Sequence, residues 1–226
     1  MDDCQVNILP PEVILWGGTG QAKVIRPVIE HWGARVVAVF DDTPGLKPPF
    51  PDVPLVLGRE GFAGWIAGRN RSRLGFCIAI GNPHGRVRIQ LHEWLVRERL
   101  RPVSVAHHTA HIAKNAFVGA GAQIMAGAIV AEQARLGRQV IINTKASVDH
   151  EDILEDGTEL APGATLCGLV TLKINAWVCA GATVLPRMTI GEDAIVGAGA
   201  MVNRHVPAGV TVVGVPARPL ERKGQN

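Results

Sequence analysis

The chain has 226 residues, with 23 Lys and Arg against 20 Asp and Glu and a formal net charge of +3. This near balance gives no indication of a nucleic-acid partner or of a charged membrane surface. No apolar run approaches the roughly 20 residues of a membrane span, and the first residues lack the pattern of a signal peptide.

Residue patterns in the first hundred positions predict alternating strands and helices. Strands are predicted at 13–16, 35–40, 55–57 and 76–80, and helices at 21–32, 62–68 and 86–99. The proline-rich segment 43–54 is predicted to be a loop. Strands that alternate with helices indicate a small parallel sheet. We therefore expect a Rossmann-like α/β domain over residues 1–104.

A glycine-rich segment, Gly17-Gly18-Thr19-Gly20, separates the first predicted strand from the first helix. The dinucleotide fingerprint G-x-G-x-x-G fits poorly, because Lys23 stands at its third glycine. Glycines still permit close backbone approach, and the amides of a helix N-terminus attract phosphate. Gly20, Asp41 and Gly81 are all expected at the carboxyl ends of strands, where such sheets bind ligands.

An aliphatic residue returns at every sixth position in the second half of the chain. The series is Ile112, Val118, Ile124, Val130, Leu136, Ile142, Val148, Leu154, Leu160, Leu166, Leu172, Val178, Val184, Ile190, Val196 and Val202. The residue four positions later is mostly alanine, as at Ala116, Ala122, Ala128 and Ala134. A helix needs a period near 3.6 and an alternating strand a period of 2, so neither explains this repeat.

A coil of three short strands satisfies the period of six. Each strand points its aliphatic residue inward, and the small residue lets the chain turn around a narrow core. Three sides close a triangular coil of 18 residues, and successive coils stack by parallel strand pairing. We expect this domain to occupy residues 105–226, including a C-terminal tail.

The repeat, at about residues 106–206, resembles that of the hexapeptide-repeat acyltransferases. Its ending, Val206-Pro207-Ala208-Gly209-Val210 through Gly214-Val215-Pro216-Ala217-Arg218, is typical of them. The resemblance implies a left-handed parallel β-helix, an exception to the usual right-handed crossover. The expected fold class is therefore α/β + β, a small Rossmann-like domain followed by a left-handed β-helix.

The two halves together resemble bacterial sugar acetyltransferases related to sialic-acid O-acetyltransferase and to the UDP-4-amino-sugar and GDP-perosamine N-acetyltransferases. The resemblance implies a homotrimer in polysaccharide biosynthesis that binds acetyl-CoA and a nucleotide-linked amino sugar, with no metal. Family contacts to the nucleotide sugar match Thr19, Gly20, Gln21, Asp41, Asp42, Gly81 and Asn82. Family members often carry His where this chain has Gln21, which leaves the identity of the acceptor open.

His150 is the sole histidine of the repeat between Ile112 and Val202. Asp152, two residues later, is the one charged residue in the column that is otherwise small, and such a violation is expected at a functional site. The family motif of Asn followed seven residues later by His-Glu is present as Asn143, His150 and Glu151. The resemblance implies that His150 is the general base, that Glu151 orients it and that Asn143 bonds at the reaction centre.

The same resemblance implies four contacts to acetyl-CoA. Gly168 lies one 18-residue coil beyond His150, and its amide is expected to face the thioester carbonyl. Ala180 and Ala198 match main-chain contacts. Glu159 stands where some relatives have His, and an ionised carboxylate cannot donate as that His does.

Several other functions stay open from the sequence. O-acetylation of a sugar or sialic-acid-like hydroxyl uses the same machinery. Related β-helices include zinc carbonic anhydrases with three histidine ligands. Here His107, His108 and His111 cluster at the start of the repeat, and we expect them on a connecting strand. A Rossmann-type oxidoreductase and a non-catalytic binding module are further alternatives. Four cysteines without a CxxC motif favour a reduced, cytoplasmic setting.

Overall fold

The computed structural model describes residues 6–81 and 83–220. Its first part is a five-stranded parallel sheet of strand order β3-β2-β1-β4-β5. The elements in chain order are β1 Glu12–Trp16, α1 Gly20–His31, β2 Arg35–Asp41, β3 Leu55–Leu57, α2 Gly58–Ile66, β4 Leu74–Ile78, α3 Gly85–Arg97 and β5 Arg101–Pro102, with a 3₁₀ turn at Arg71–Arg73.

Most predicted elements of this domain are present, with shifted ends. Helix α2 begins at Gly58, directly after β3, rather than at residue 62. Strand β4 begins at Leu74 and ends at Ile78, so Ile80 follows the strand instead of closing it. Strand β5 is a two-residue strand that contains Pro102. It was not predicted, because two residues carry no periodicity.

The second part is a left-handed parallel β-helix of two- and three-residue strands on three faces. Face 1 contains Val105–Ala106, Gln123–Ile124, Ile141–Ile142, Glu159–Leu160, Trp177–Val178, Ile195–Val196, Thr211–Val213 and, antiparallel, Arg218–Pro219. Face 2 contains His111–Ile112, Ile129–Val130, Ser147–Val148, Thr165–Leu166, Thr183–Val184 and Met201–Val202. Face 3 contains Phe117–Val118, Arg135–Leu136, Ile153–Leu154, Thr171–Leu172 and Thr189–Ile190.

The core of the β-helix confirms the predicted period. Every aliphatic residue of the series is buried except Ile112, which is partly exposed. Strands 18 residues apart pair in register, as Ile141 pairs with Glu159 and Ile142 with Leu160. The repeat begins one strand earlier than its aliphatic series, at Val105–Ala106, which pairs with Gln123–Ile124. His111 begins the first strand of face 2, so its placement on a connecting strand was wrong.

Helix α3 joins the two parts of the molecule. The guanidinium of Arg88 is fully buried and donates to the carbonyls of Gln139 (3.1 Å), Gly157 (2.7 Å) and Ile80 (3.1 Å). Burial lowers the pKa of Arg88 to about 10, and the nearby charge of Glu159 opposes this change. The side chain stays charged at neutral pH and links the α/β sheet to face 1.

Candidate active site

A cavity of about 440 Å³ lies at the carboxyl ends of the strands of the α/β sheet. Four of the residues predicted to contact a nucleotide sugar line it: Thr19, Asp41, Asp42 and Gly81. The remaining lining residues are Trp16, Gly17, Thr43, Ile80 and His84. The cavity therefore lies at the edge that the strand-end rule predicts.

Asp41 organises the wall of this cavity. Its Oδ2 accepts a hydrogen bond from the amide of Gly18 at 2.7 Å, and its Oδ1 accepts one from the amide of Thr43 at 2.9 Å. The carboxylate thus connects the glycine loop after β1 to the loop after β2. Asp42 is exposed beside it.

The glycine loop leads into the N-terminus of α1, which begins at Gly20. Gly17 has φ +109°, and a Cβ there would collide with the carbonyl of Ala79, so only glycine fits. The first turn of α1 carries no acidic residue, and no side chain caps it. A helix N-terminus of this kind attracts phosphate, and it follows directly on Thr19 in the cavity wall.

Three residues predicted to contact the nucleotide sugar are not among the described residues that line the cavity. Gly20 is not among the lining residues. The Nε2 of Gln21 donates to Oε1 of Gln123 on face 1 at 2.8 Å, which places Gln21 at the seam between the two parts. Asn82 lies outside the described residues. His84 was missed, although its place between β4 and α3 is at the same strand-end edge.

A second cluster surrounds His150, in the turn that connects face 2 to face 3 (the 2–3 corner). Nδ1 of His150 lies 3.2 Å from Oε2 of Glu151, and both side chains are about half exposed, at 52% and 50%. A neutral ring that donates from Nδ1 to this carboxylate keeps a free lone pair on Nε2. That nitrogen is the one available to accept a proton.

Gly168 stacks on His150 at the same corner, one coil later. A Cβ on Gly168 would lie 2.8 Å from Nε2 of the imidazole, so a side chain there would displace the ring. Gly168 also has φ +93°, a conformation that favours glycine. The predicted neighbourhood of His150, Glu151 and Gly168 is thus present in one chain.

Asn143, Ala180 and Ala198 lie elsewhere, in the turns that connect face 1 to face 2 (the 1–2 corner). Oδ1 of Asn143 accepts a hydrogen bond from the amide of Thr144 at 2.8 Å. The whole of face 2 separates this corner from His150. Within one chain, Asn143 and His150 therefore do not meet.

Glu159 has a structural environment that the sequence did not predict. It lies on face 1, is 6% exposed and forms an ion pair with Arg88 at 3.5 Å. A carboxylate buried against a guanidinium is held by that partner. Glu159 therefore lies at the seam between the two parts, and its contact to acetyl-CoA stays a prediction.

The cavity and His150 lie on different sides of the molecule. The α/β domain packs on face 1, through contacts such as Gln21 to Gln123 and Gln123 Nε2 to the carbonyl of Ile78 at 2.7 Å. The 2–3 corner is opposite face 1 in a three-sided coil. One chain therefore carries two half-sites that do not face each other.

No group of three or more His, Cys, Asp or Glu side chains within 6–81 and 83–220 is arranged to hold a metal ion. None of the helices described here is long and apolar enough to cross a membrane.

Comparison with known proteins identifies the class. No family model matches the chain. GDP-perosamine N-acetyltransferase of Escherichia coli O157:H7 is 32% identical over 153 residues, which cover 65% of this chain and 68% of that protein. The structure of GDP-perosamine N-acetyltransferase from Caulobacter crescentus with CoA and GDP-perosamine superposes with a TM-score of 0.84 at 31% identity, over 93% of this chain and 97% of that one.

A third match is the acetyltransferase domain of PglB from Neisseria gonorrhoeae in complex with acetyl coenzyme A. It has a TM-score of 0.82 at 26% identity and covers 93% of this chain and 99% of that one. The fold and the sequence similarity shared with such enzymes define an acyltransferase. The chain belongs to the hexapeptide-repeat sugar acetyltransferases.

Proposed function

We propose that this protein transfers the acetyl group of acetyl-CoA to the amino group of a nucleotide-linked amino sugar. The observation that carries the proposal is the 2–3 corner, where a carboxylate lies against Nδ1 of His150 and Gly168 against its Nε2. The strand-end cavity with Asp41 supports a nucleotide-bearing acceptor. The two GDP-perosamine N-acetyltransferases named above support an amine over a hydroxyl.

The reaction needs a base for the amine and a donor for the developing oxyanion. The neutral sugar amine attacks the thioester carbonyl, a C–N bond forms, and Nε2 of His150 takes the released proton. The amide of Gly168 donates to the carbonyl oxygen as negative charge develops. The C–S bond then breaks and the proton passes to the thiolate of CoA, so that no covalent enzyme intermediate is required.

We further propose that the catalytic unit is a homotrimer with its sites between copies. The separation of the cavity from His150 within one chain supports this assembly. A neighbouring copy brings a 1–2 corner, with Asn143, Ala180 and Ala198, opposite the 2–3 corner of its partner. Acetylated nucleotide sugars are donors for glycosyl transfer, so polysaccharide synthesis in the cytoplasm is the proposed setting.

An acceptor screen tests the proposed reaction. UDP-, GDP- and dTDP-linked amino sugars, with matched hydroxyl sugars, are incubated with acetyl-CoA while thiol release is measured. We expect release with one of the amino sugars and none with its hydroxyl counterpart. Release with hydroxyl sugars alone would mean O-acetylation, and absence of CoA binding in calorimetry would mean a non-catalytic module.

The Asp41→Ala variant tests the division between the two half-sites. The loss of Asp41 frees the amides of Gly18 and Thr43 and loosens the wall of the cavity. We expect the KM of the nucleotide sugar to rise about tenfold or more, a change of 1.4 kcal/mol or greater, and that of acetyl-CoA to stay within twofold. Equal loss for both substrates would contradict the assignment of the cavity.

A further inference from the structure

Asp152 is a buried carboxylate at the corner that carries His150. Its side chain points into the coil, in the column that holds alanine in most hexads, and it is 0% exposed. A buried charge requires hydrogen-bonding partners, because its hydration is lost. The partners of Asp152 are two main-chain amides.

These amides belong to the two turns that form the candidate site. Oδ2 of Asp152 accepts from the amide of Asp149, in the turn of His150, at 2.7 Å. Oδ1 accepts from the amide of Val170, in the turn of Gly168, at 2.8 Å. One carboxylate therefore holds both turns.

On face 2, the pairing of the strands that precede the His150 and Gly168 turns is incomplete. Ser147 pairs with Thr165, but Val148 and Leu166 do not pair, whereas the other described pairs of successive strands in the three faces register at two residues. Elsewhere the residue after a strand donates to the next coil, as Ala131 does to the carbonyl of Val148 at 3.0 Å. The amide of Asp149 donates to Asp152 instead.

The turn of Gly168 is irregular for the same reason. At the 2–3 corner two coils earlier, the amide of Ala134 donates to the carbonyl of Ala131 at 3.3 Å and closes the turn. Val170 donates to Asp152 rather than closing its own turn. From Gly121 to Gly199, every sixth residue has a positive φ, and Leu169 belongs to this series. Gly168 is the one residue of this described range that has a positive φ without belonging to the series.

We propose that Asp152 is a positioning residue for the acetyl transfer, which holds the His150 turn and keeps the Gly168 turn open so that its amide faces the reaction centre. This inference rests on the proposed function. The extra left-handed residue reorients the peptide of Gly168 beside the imidazole. A regular alanine in the column would leave that peptide in the conformation of the other corners.

The surroundings of Asp152 show that this arrangement is costly to the fold. Burial raises the pKa of Asp152 to about 7, the nearby charge of Asp149 also raises it, and the two amide bonds and His150 lower it. Cys167, on the next coil, is a further titratable neighbour, and its own pKa is raised mainly by burial. An ionisable side chain such as that of Asp152 is unfavourable in a buried position. Such a residue is expected at a functional corner, where function rather than stability determines which amino acid is present.

The Asp152→Ala variant tests the inference, because alanine is the usual residue of this column and the variant is expected to fold. We expect kcat to fall about tenfold or more, the KM values of both substrates to stay within about twofold, and Tm to be unchanged or higher. Asp152→Asn, which can accept one of the two amide bonds, is expected to have an intermediate kcat.

Glu155→Ala is the matched control. Glu155 also joins successive coils, since it accepts from Nζ of Lys173 at 2.7 Å and from the amide of Ile174 at 3.1 Å, but it lies at the corner between faces 3 and 1. We expect this variant to have a lower Tm and the kcat of the parent. A kcat of Asp152→Ala within threefold of the parent would overturn the positioning role.

A crystal structure of Asp152→Ala provides a readout that does not depend on activity. We expect Val148 to pair with Leu166 and Gly168 to lose its positive φ. An unchanged Gly168 turn would also overturn the inference. If the parent enzyme acetylates no amino sugar although the variant shows these structural changes, the proposed function fails while the structural role of Asp152 stands.

Discussion

The imidazole of His150 owes its proposed role to what surrounds it rather than to its own type. A histidine on a β-helix corner is ordinarily an exposed polar residue. Here Glu151 accepts from Nδ1, which fixes the tautomer that leaves Nε2 as an acceptor. Gly168 keeps side-chain atoms away from that nitrogen.

The first prediction at the residue scale is that His150→Ala lowers kcat by about 10²–10⁴, as removal of a general base does. Steady-state thiol release measures kcat, and sedimentation compares the assembly of variant and parent, which we expect to match because the side chain is half exposed. Activity within threefold of the parent would show that His150 is not the base.

The second prediction concerns the pH dependence of stability through Asp152. Its pKa is about 7 in the folded protein, against an ordinary value near 4 in the unfolded chain. The folded state therefore binds more protons between these values, and this contribution to stability is lost as pH rises from about 4 to about 7. Thermal denaturation measures the effect as the Tm of the parent minus that of Asp152→Asn.

That difference in Tm is expected to decrease as pH is raised, since Asn does not titrate. The Glu155→Gln variant is the control. Glu155 is also a carboxylate that accepts hydrogen bonds from the next coil of the β-helix, but it lies away from the corner of His150. A difference that stays constant with pH would mean that Asp152 does not titrate in this range.

Among the elements, the first turn of α3 connects the α/β sheet to the β-helix. Arg88 reaches the carbonyls of Ile80 and Gly157, on opposite sides of the seam. Arg86 forms ion pairs with Glu192 and with Asp193, at 2.6 Å for the latter. The exposed pairs contribute little to stability, whereas loss of the buried guanidinium would leave its buried partners without a donor.

We therefore predict that Arg88→Met lowers stability by about 3–5 kcal/mol, because it leaves buried carbonyls and Glu159 without this donor. The double variant Arg88→Met/Glu159→Leu is expected to recover part of the loss, since an apolar pair replaces a broken one. Arg86→Ala is the control and is expected to cost less than about 1 kcal/mol. Equal losses for Arg86 and Arg88, measured by denaturant unfolding, would contradict this account.

The faces of the β-helix could be predicted from the sequence, whereas the contacts between the two parts of the molecule could not. A period of six determines every face of the β-helix, because each hexad has one inward aliphatic residue. The seam was not predictable in this way. Gln21 bonds to Gln123, and Arg88 pairs with Glu159, across about 70 to 100 positions of sequence, and no local pattern carries that distance. Asp152 was identified as irregular, but its two amide partners required coordinates.

At the scale of the whole molecule, the two half-sites of one chain point away from each other. The cavity lies with the domain that covers face 1, and His150 lies at the opposite corner. In the proposed homotrimer, cyclic assembly would convert such an arrangement into complete sites, because each copy would offer one half to each neighbour.

Mixing of inactive variants tests this assembly. At a nucleotide-sugar concentration well below its KM, His150→Ala and Asp41→Ala are each expected to have low activity, and co-refolded mixtures are expected to regain activity at sites that combine the intact halves. Random assembly of equal amounts makes about one site in four complete. No recovery in mixed trimers, verified by mass, would place both halves of each site within one copy.

Gly85, at the start of α3, has a consequence for engineering. A side chain on Gly85 would collide with the carbonyl of Gly157 in the β-helix, next to the ion pairs of Arg86. A chimaera that exchanges the acceptor domain for that of a relative must therefore keep a glycine at this position and a guanidinium at Arg88. Without them, the transplanted domain would be misaligned with face 1 of the β-helix.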